Sequence, residues 1–266
     1  MSRPDFTIDQ NWSAYTQQEH RVWATLFERQ RSLLPRYACK EFLAGMASLP
    51  LRADQIPNFD EVNEALHGQT GWRIVAVPGL VPDDVFFTHL AHRRFPSGQF
   101  IRRADQLDYL QEPDVFHDVF GHVPMLMNPI LADFIQVYGE GGLRAQKLGV
   151  LKLLARVYWY TVEFGLVLEE GRPKVYGAGI ASSFSETQYA LDSTVPNRII
   201  FELQRVMQTD YRIDDFQESY FVLRSLCDLL ALRDIDFAPL YAQLRERPAI
   251  APHARLAQDA LLSSQL

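Results

Sequence analysis

The chain has 266 residues, 47% of them apolar and 22% charged, with a net charge of -7. That balance suits a soluble globular protein with a sizeable core, and the acidity argues against a general nucleic-acid or anionic-membrane surface. No apolar signal core opens MSRPDFTIDQNWSAY, no uncharged apolar run approaches the roughly 18–20 residues that span a bilayer, and Cys39 and Cys227 cannot build a disulfide framework, so a cytoplasmic protein is expected.

Residues 1–16 read as a poorly ordered arm. Trp23, Leu26, Phe27, Leu33 and Leu34 recur at helical spacing until Pro35 interrupts, and residues 37–49 read as a second helix. Asn58, with Glu61 at the N3 position, makes a capping-box-like start to a helix that stops at Gly68. GWRIVAVPGL reads as a short strand, and Pro82-Asp83-Asp84 as a helix start with proline and acids in the favoured first turn. Residues 97–102 are expected to be extended. Pro113 opens a helix carrying His117, and residues 130–143 and 149–168 follow as helices. A turn at 169–173 leads to a strand at 174–178, then helices at 184–190, 198–208 and 220–232. No repeat, low-complexity tract or flexible linker interrupts the chain. The expectation is an α+β fold, predominantly α-helical, in one domain over 1–266 with a few short strands.

Within LLARVYWYTVEFGLVL, residues 153–168, 12 of 16 residues are apolar and the only charges are Arg156 and Glu163. A carboxylate buried there needs a partner, because an unpaired one costs several kcal/mol. Upstream, PDVFHDVFGHVP places His117 and His122 five residues apart. On an ideal α-helix such a pair diverges by about 140°. Gly121 is permissive and Pro124 disfavours a helical Val123, so His122 is expected where the helix ends, with its ring swung back toward His117. Two imidazoles and one carboxylate form the donor set of a non-haem Fe(II) site with open positions. The alternatives are two hydrogen-bonded core histidines and an Arg156–Glu163 ion pair, the latter spanning about 10 Å of helix. The same donors can hold catalytic zinc, but the residue beside His117 is Asp118, one methylene shorter than the usual general-base glutamate. His89 and His92, followed by Arg93 and Arg94, read as a surface helix end.

At PDVFHDVFGHVP, YWYTVEFGL and YGAGIASSFSETQY the chain resembles the pterin-dependent aromatic amino acid hydroxylases, most of all their short bacterial members, from about Val22 to Phe237. The resemblance implies one catalytic domain, with Fe(II) held by His117, His122 and Glu163. Tetrahydropterin and O2 are then cosubstrates for hydroxylating an aromatic amino acid, phenylalanine first, with tryptophan or tyrosine as alternatives. It implies Arg102 on the substrate carboxylate, where a surface cation beside Arg103 is the plain reading of the residue alone. It places Tyr109, Leu110, Pro113 and Trp159 on the substrate side, and Ser182 and Glu186 in a supporting hydrogen-bond network near the iron. For the pterin it implies stacking on Phe86, the loop of Gly79, Leu80, Val81 and Asp83, and Tyr158 and Ala155 nearby. Asp118 replaces a family glutamate and would reach the pterin through water. Residues before Gln17 leave no room for a regulatory domain, and 254–266 is short for an assembly helix, so a monomer is expected.

Overall fold

The computed structural model describes residues 3–108 and 112–262. Residues 3–16, expected as a loose arm, are instead tied down: the Ile8 N–H donates to Ala76 O, Trp12 Nε1 to Ile56 O and Gln10 Nε2 to Pro57 O. Helix α1 (Gln17–Tyr37) starts at Thr16 with a complete capping box to Glu19. It runs through Pro35 rather than ending there. The proline forfeits one hydrogen bond close to the helix end, and burial of Leu34 and Tyr37 keeps the last turn in place. Helix α2 (Lys40–Ser48) follows.

Helix α3 (Phe59–Thr70) is capped by Asn58, whose side chain accepts from the Asp60 N–H and not through a box with Glu61. It passes Gly68 and stops at Gly71, which takes the left-handed conformation (φ 77°) that a side chain would resist. Strand β1 (Arg73–Ala76), helix α4 (Asp83–Ala91) and strand β2 (Arg94–Ser97) form a parallel β–α–β unit. The extended segment thus lies before residue 97 more than after it. His89 is not on the surface: it is 1% exposed, and its Nε2 meets the Asp5 carbonyl at 2.8 Å.

A π-helical segment (Phe116–His122) leads without a break into α5 (Val123–Leu126), then α6 (Pro129–Lys147) and α7 (Leu151–Tyr158), which continues as a second π segment (Trp159–Glu163). The chain next turns into β3 (Leu166–Glu169), where continued helix was expected, and pairs antiparallel with β4 (Arg172–Val175). Helices α8 (Ala178–Ala181) and α9 (Phe184–Asp192) follow, then β5 (Asn197–Ile200), α10 (Leu203–Gln208), β6 (Ser219–Leu223), α11 (Cys227–Arg233) and α12 (Phe237–Leu244). Residues 198–200 and 219–223 are therefore strands, not helix. The larger sheet has the order β4-β3-β6-β5, with β6 parallel to both neighbours. A tail closes its β5 edge: the Ile200 N–H donates to Ala260 O and the Leu262 N–H to Arg198 O, both at 2.9 Å. The result is a mixed α+β fold in which helices predominate. Trp23 and Phe27 of α1 pack edge-on against Phe116 and Phe120, so α1 buttresses the first π segment from behind.

Candidate metal centre and its cleft

The two π segments carry the three candidate ligands. In a helix closed by i→i+5 bonds, residues five apart stack one above the other instead of diverging. His117 and His122 face the same way for that reason. Val123 is helical (φ -65°, ψ -34°), so the expected helix end at His122 does not occur. Pro124 sits in the first turn of α5, where its missing N–H is tolerated. Gly121 has a different role from the one expected: a Cβ there would lie 2.9 Å from the Ala178 carbonyl, so glycine lets α8 approach this segment. Glu163 ends the second π segment, whose Phe164 N–H donates back to Trp159 O at 2.8 Å.

One donor atom from each of His117, His122 and Glu163 lies within 4.8 Å of the others. His122 Nε2 is 3.2 Å from Glu163 Oε1 and 3.2 Å from His117 Nε2, while His117 Nε2 is 3.5 Å from Glu163 Oε2. Ligand bonds of about 2.1 Å to one ion subtend edges of about 3.0 Å in an octahedral face and about 3.4 Å in a tetrahedron. The triangle therefore fits a single metal ion. Ser182 Oγ donates to Ala178 O at 2.8 Å and accepts from His117 Nδ1 at 3.0 Å. That bond puts the His117 proton on Nδ1 and turns the Nε2 lone pair inward.

The electrostatics agree. Burial pushes the Glu163 carboxyl up, but the facing His122 and His117, with the Tyr158 hydroxyl, outweigh it and hold it below its ordinary value. Burial lowers His117 to about 4 against the pull of Glu163, so its imidazole is neutral. Arg156 does not pair with Glu163. Its guanidinium donates to Met207 O and to Asp210.

The cleft over this triangle, about 230 Å³, is lined by Gly79, Leu80, Val81, Asp83, Phe86, Pro113, Asp118 and Tyr158 besides the three candidate ligands. Phe86 is half-buried and meets Tyr158 edge-on at 6.0 Å. Asp118 is buried, accepts the Gly98 N–H at 2.8 Å, and is pushed up to about 7 by burial.

Arg102, Ala155, Trp159, Ser182 and Glu186 stand outside that lining. Arg102 is no surface cation: it is 8% exposed and grips Asp114 through Nε (2.8 Å) and Nη2 (2.9 Å), with Nη1 on Leu107 O. Asp114 also accepts the His117 N–H at 3.0 Å, which couples the arginine to the start of the first π segment. Glu186 is buried with the Tyr220 hydroxyl and the Gln217 N–H, a network separate from that of Ser182. Tyr109 and Leu110 lie outside the described residues. Sequence reasoning passed over Asp114 and Gln217. Asp114 carried a readable signal, an acid three residues before His117 in a helix-start position. Gln217 carried none.

Two histidines and one carboxylate converging under an aromatic-walled cleft have the donor set of the facial-triad non-haem metal sites. The profile of the biopterin-dependent aromatic amino acid hydroxylases matches residues 10–237. A phenylalanine-4-hydroxylase of Ralstonia nicotianae is 55% identical over 98% of this chain and 84% of its own length. One of Caulobacter vibrioides is 56% identical over 98% of this chain and 89% of its own. A crystal structure of Chromobacterium violaceum phenylalanine hydroxylase with iron and phenylalanine bound superposes with a TM-score of 0.94 at 50% identity, covering 98% of this chain and 95% of that one. The chain belongs to the biopterin-dependent aromatic amino acid hydroxylase family.

Proposed function

We propose that this chain is a monooxygenase that converts L-phenylalanine to L-tyrosine with Fe(II), a tetrahydropterin and O2. The observation that carries this reading is the convergence of His117, His122 and Glu163 at the floor of a cleft rimmed by Phe86 and the 79–83 loop. When bound, ferrous iron supplies open coordination positions for oxygen activation, with the pterin as reductant.

The protein's own groups bind and orient. His117 and His122 offer imidazole nitrogens and Glu163 a carboxylate, and Ser182 keeps the His117 proton away from the metal side. Phe86 offers a ring face to the pterin. Gly79, Leu80, Val81 and Asp83 offer backbone groups to its edge, with Tyr158 in the lining and Ala155 behind it, outside the lining. Asp118, fixed by Gly98, reaches the pterin through water. Three of the five N–H groups of Arg102 are engaged, which leaves one on Nη1 and one on Nη2 for a substrate carboxylate. Trp159 and Pro113 enclose the substrate ring. Glu186 supports this wall through Gln217.

Tyrosine formation from phenylalanine by the Fe(II)-loaded protein, dependent on both O2 and a tetrahydropterin, tests the proposal. Equal or greater turnover of tryptophan would overturn the substrate assignment. His117→Ala and His122→Ala should lose stoichiometric iron and activity while keeping their far-UV circular dichroism. Among the described residues no helix is long and apolar enough to cross a membrane. We further propose a cytoplasmic monomer, expected to scatter light with a mass near 30.6 kDa. A mass near four times that would contradict it.

A further inference from the structure

Trp159 opens the π segment that ends at Glu163, and its indole is held on three sides. Tyr211 stacks on one face, with centroids 4.2 Å apart and planes 14° from parallel. Phe164 lies against the ring at 4.8 Å and a 34° tilt. Stacking resists tilting but leaves an aromatic ring free to slide and turn within its own plane. One polar contact removes that freedom: Trp159 Nε1 donates to Gln217 Oε1 at 2.9 Å.

Gln217 is itself immobilised. It is 2% exposed, its Nε2 donates to Arg212 O at 2.8 Å, and its backbone N–H donates to Glu186 Oε1 at 3.3 Å. The indole N–H is only a donor and the Arg212 carbonyl only an acceptor, so a single orientation of the Gln217 amide satisfies both. The amide thus reads the indole from a fixed frame built by Glu186 and the 209–217 loop.

We infer that Gln217 is a positioning residue for the aromatic amino acid: it sets the in-plane orientation of Trp159 and so the wall against which the substrate ring packs. This inference rests on the proposed placement of Trp159 beside the substrate. Gln217 is neither a candidate ligand nor part of the cleft lining, so its effect should fall on one substrate alone. Gln217→Met is close in size and lacks both amide functions. In the iron-loaded enzyme it should raise the phenylalanine KM, and the calorimetric Kd for phenylalanine, about fivefold, the worth of one hydrogen bond. Iron content and the KM for the tetrahydropterin should stay at wild-type values. In a Trp159→Phe background, which has no indole N–H, the same change should add nothing further.

Gln217→Asn carries the same expectation if the methionine variant does not fold, because its shorter arm withdraws the carbonyl from the indole. An unchanged phenylalanine KM and Kd would overturn the inference. So would an equal loss of pterin and iron binding, or an undiminished effect in the Trp159→Phe background. Each of these presumes wild-type turnover of phenylalanine. Its absence would instead sink the proposed function.

Discussion

Ser182 decides which nitrogen of His117 faces the metal position. Ser182→Ala removes the acceptor on Nδ1 and lets the ring sample the wrong tautomer and rotate. Iron affinity should fall about 10–100-fold, as for other partners that orient a ligating histidine. Titration of the apoprotein with Fe(II) checks this, with melting temperature as the control. Arg102 has two duties. Arg102→Ala should raise the phenylalanine KM more than about tenfold through loss of a charge-assisted pair. It should also strand the Asp114 carboxylate, whose pKa burial would raise but which Arg102 and the His117 N–H hold below its ordinary value. The second effect should cost about 3–5 kcal/mol in denaturant unfolding. The three candidate ligands were legible because charge and imidazole stand out in apolar sequence. Asp114 was legible only as a helix-start acid, not as the partner of Arg102, and Gln217 not at all, since their value lies in what they touch across the fold.

The π segments explain why a histidine spacing that looked wrong for an α-helix works. They were invisible in the sequence, because the i→i+5 pattern is imposed by packing: Phe116 and Phe120 lock against α1 on one side while Gly121 admits α8 on the other. Gly121→Ala should therefore force α8 away from the segment, since the added Cβ meets backbone and not a flexible side chain. A loss of about 1–3 kcal/mol is expected for such overpacking. Ser182, just past α8, would be displaced with it, so weaker iron binding should accompany the lower melting temperature. Two of the misread strands, β3 and β6, have a common cause. All five residues of β6 are buried, because helices or loops cover both faces of a central parallel strand. Such a strand shows no alternation and reads as an apolar run, the same signal as a buried helix. The run after Gly165 misled in the same way, whereas the amphipathic α1, the side-chain-capped α3 and α9, and α4 with acids in its first turn were recognisable.

At the scale of the molecule, stability and pH are linked through Glu186. Burial raises its carboxyl from 4.5 to about 7, although the Tyr220 hydroxyl and the Gln217 N–H favour the ionised form. The folded state thus keeps a proton that the unfolded chain has already released. Its contribution is full below about pH 4.5 and is lost as pH rises through about 7, a span worth up to about 3 kcal/mol. Glu186→Gln should flatten that part of the stability curve, read as unfolding free energy at pH 5 and pH 7.5 relative to wild type. The same sheet is finished by the tail, which the buried Arg205–Asp259 pair (2.9 Å) and the hydrogen bonds to Ile200 and Arg198 pin along β5. Stripped of that cover, β5 would offer free amides and carbonyls to any extended chain in solution. Truncation after residue 249 should then produce edge-to-edge self-association, visible as turbidity growing with concentration and time, before it produces a merely slower enzyme.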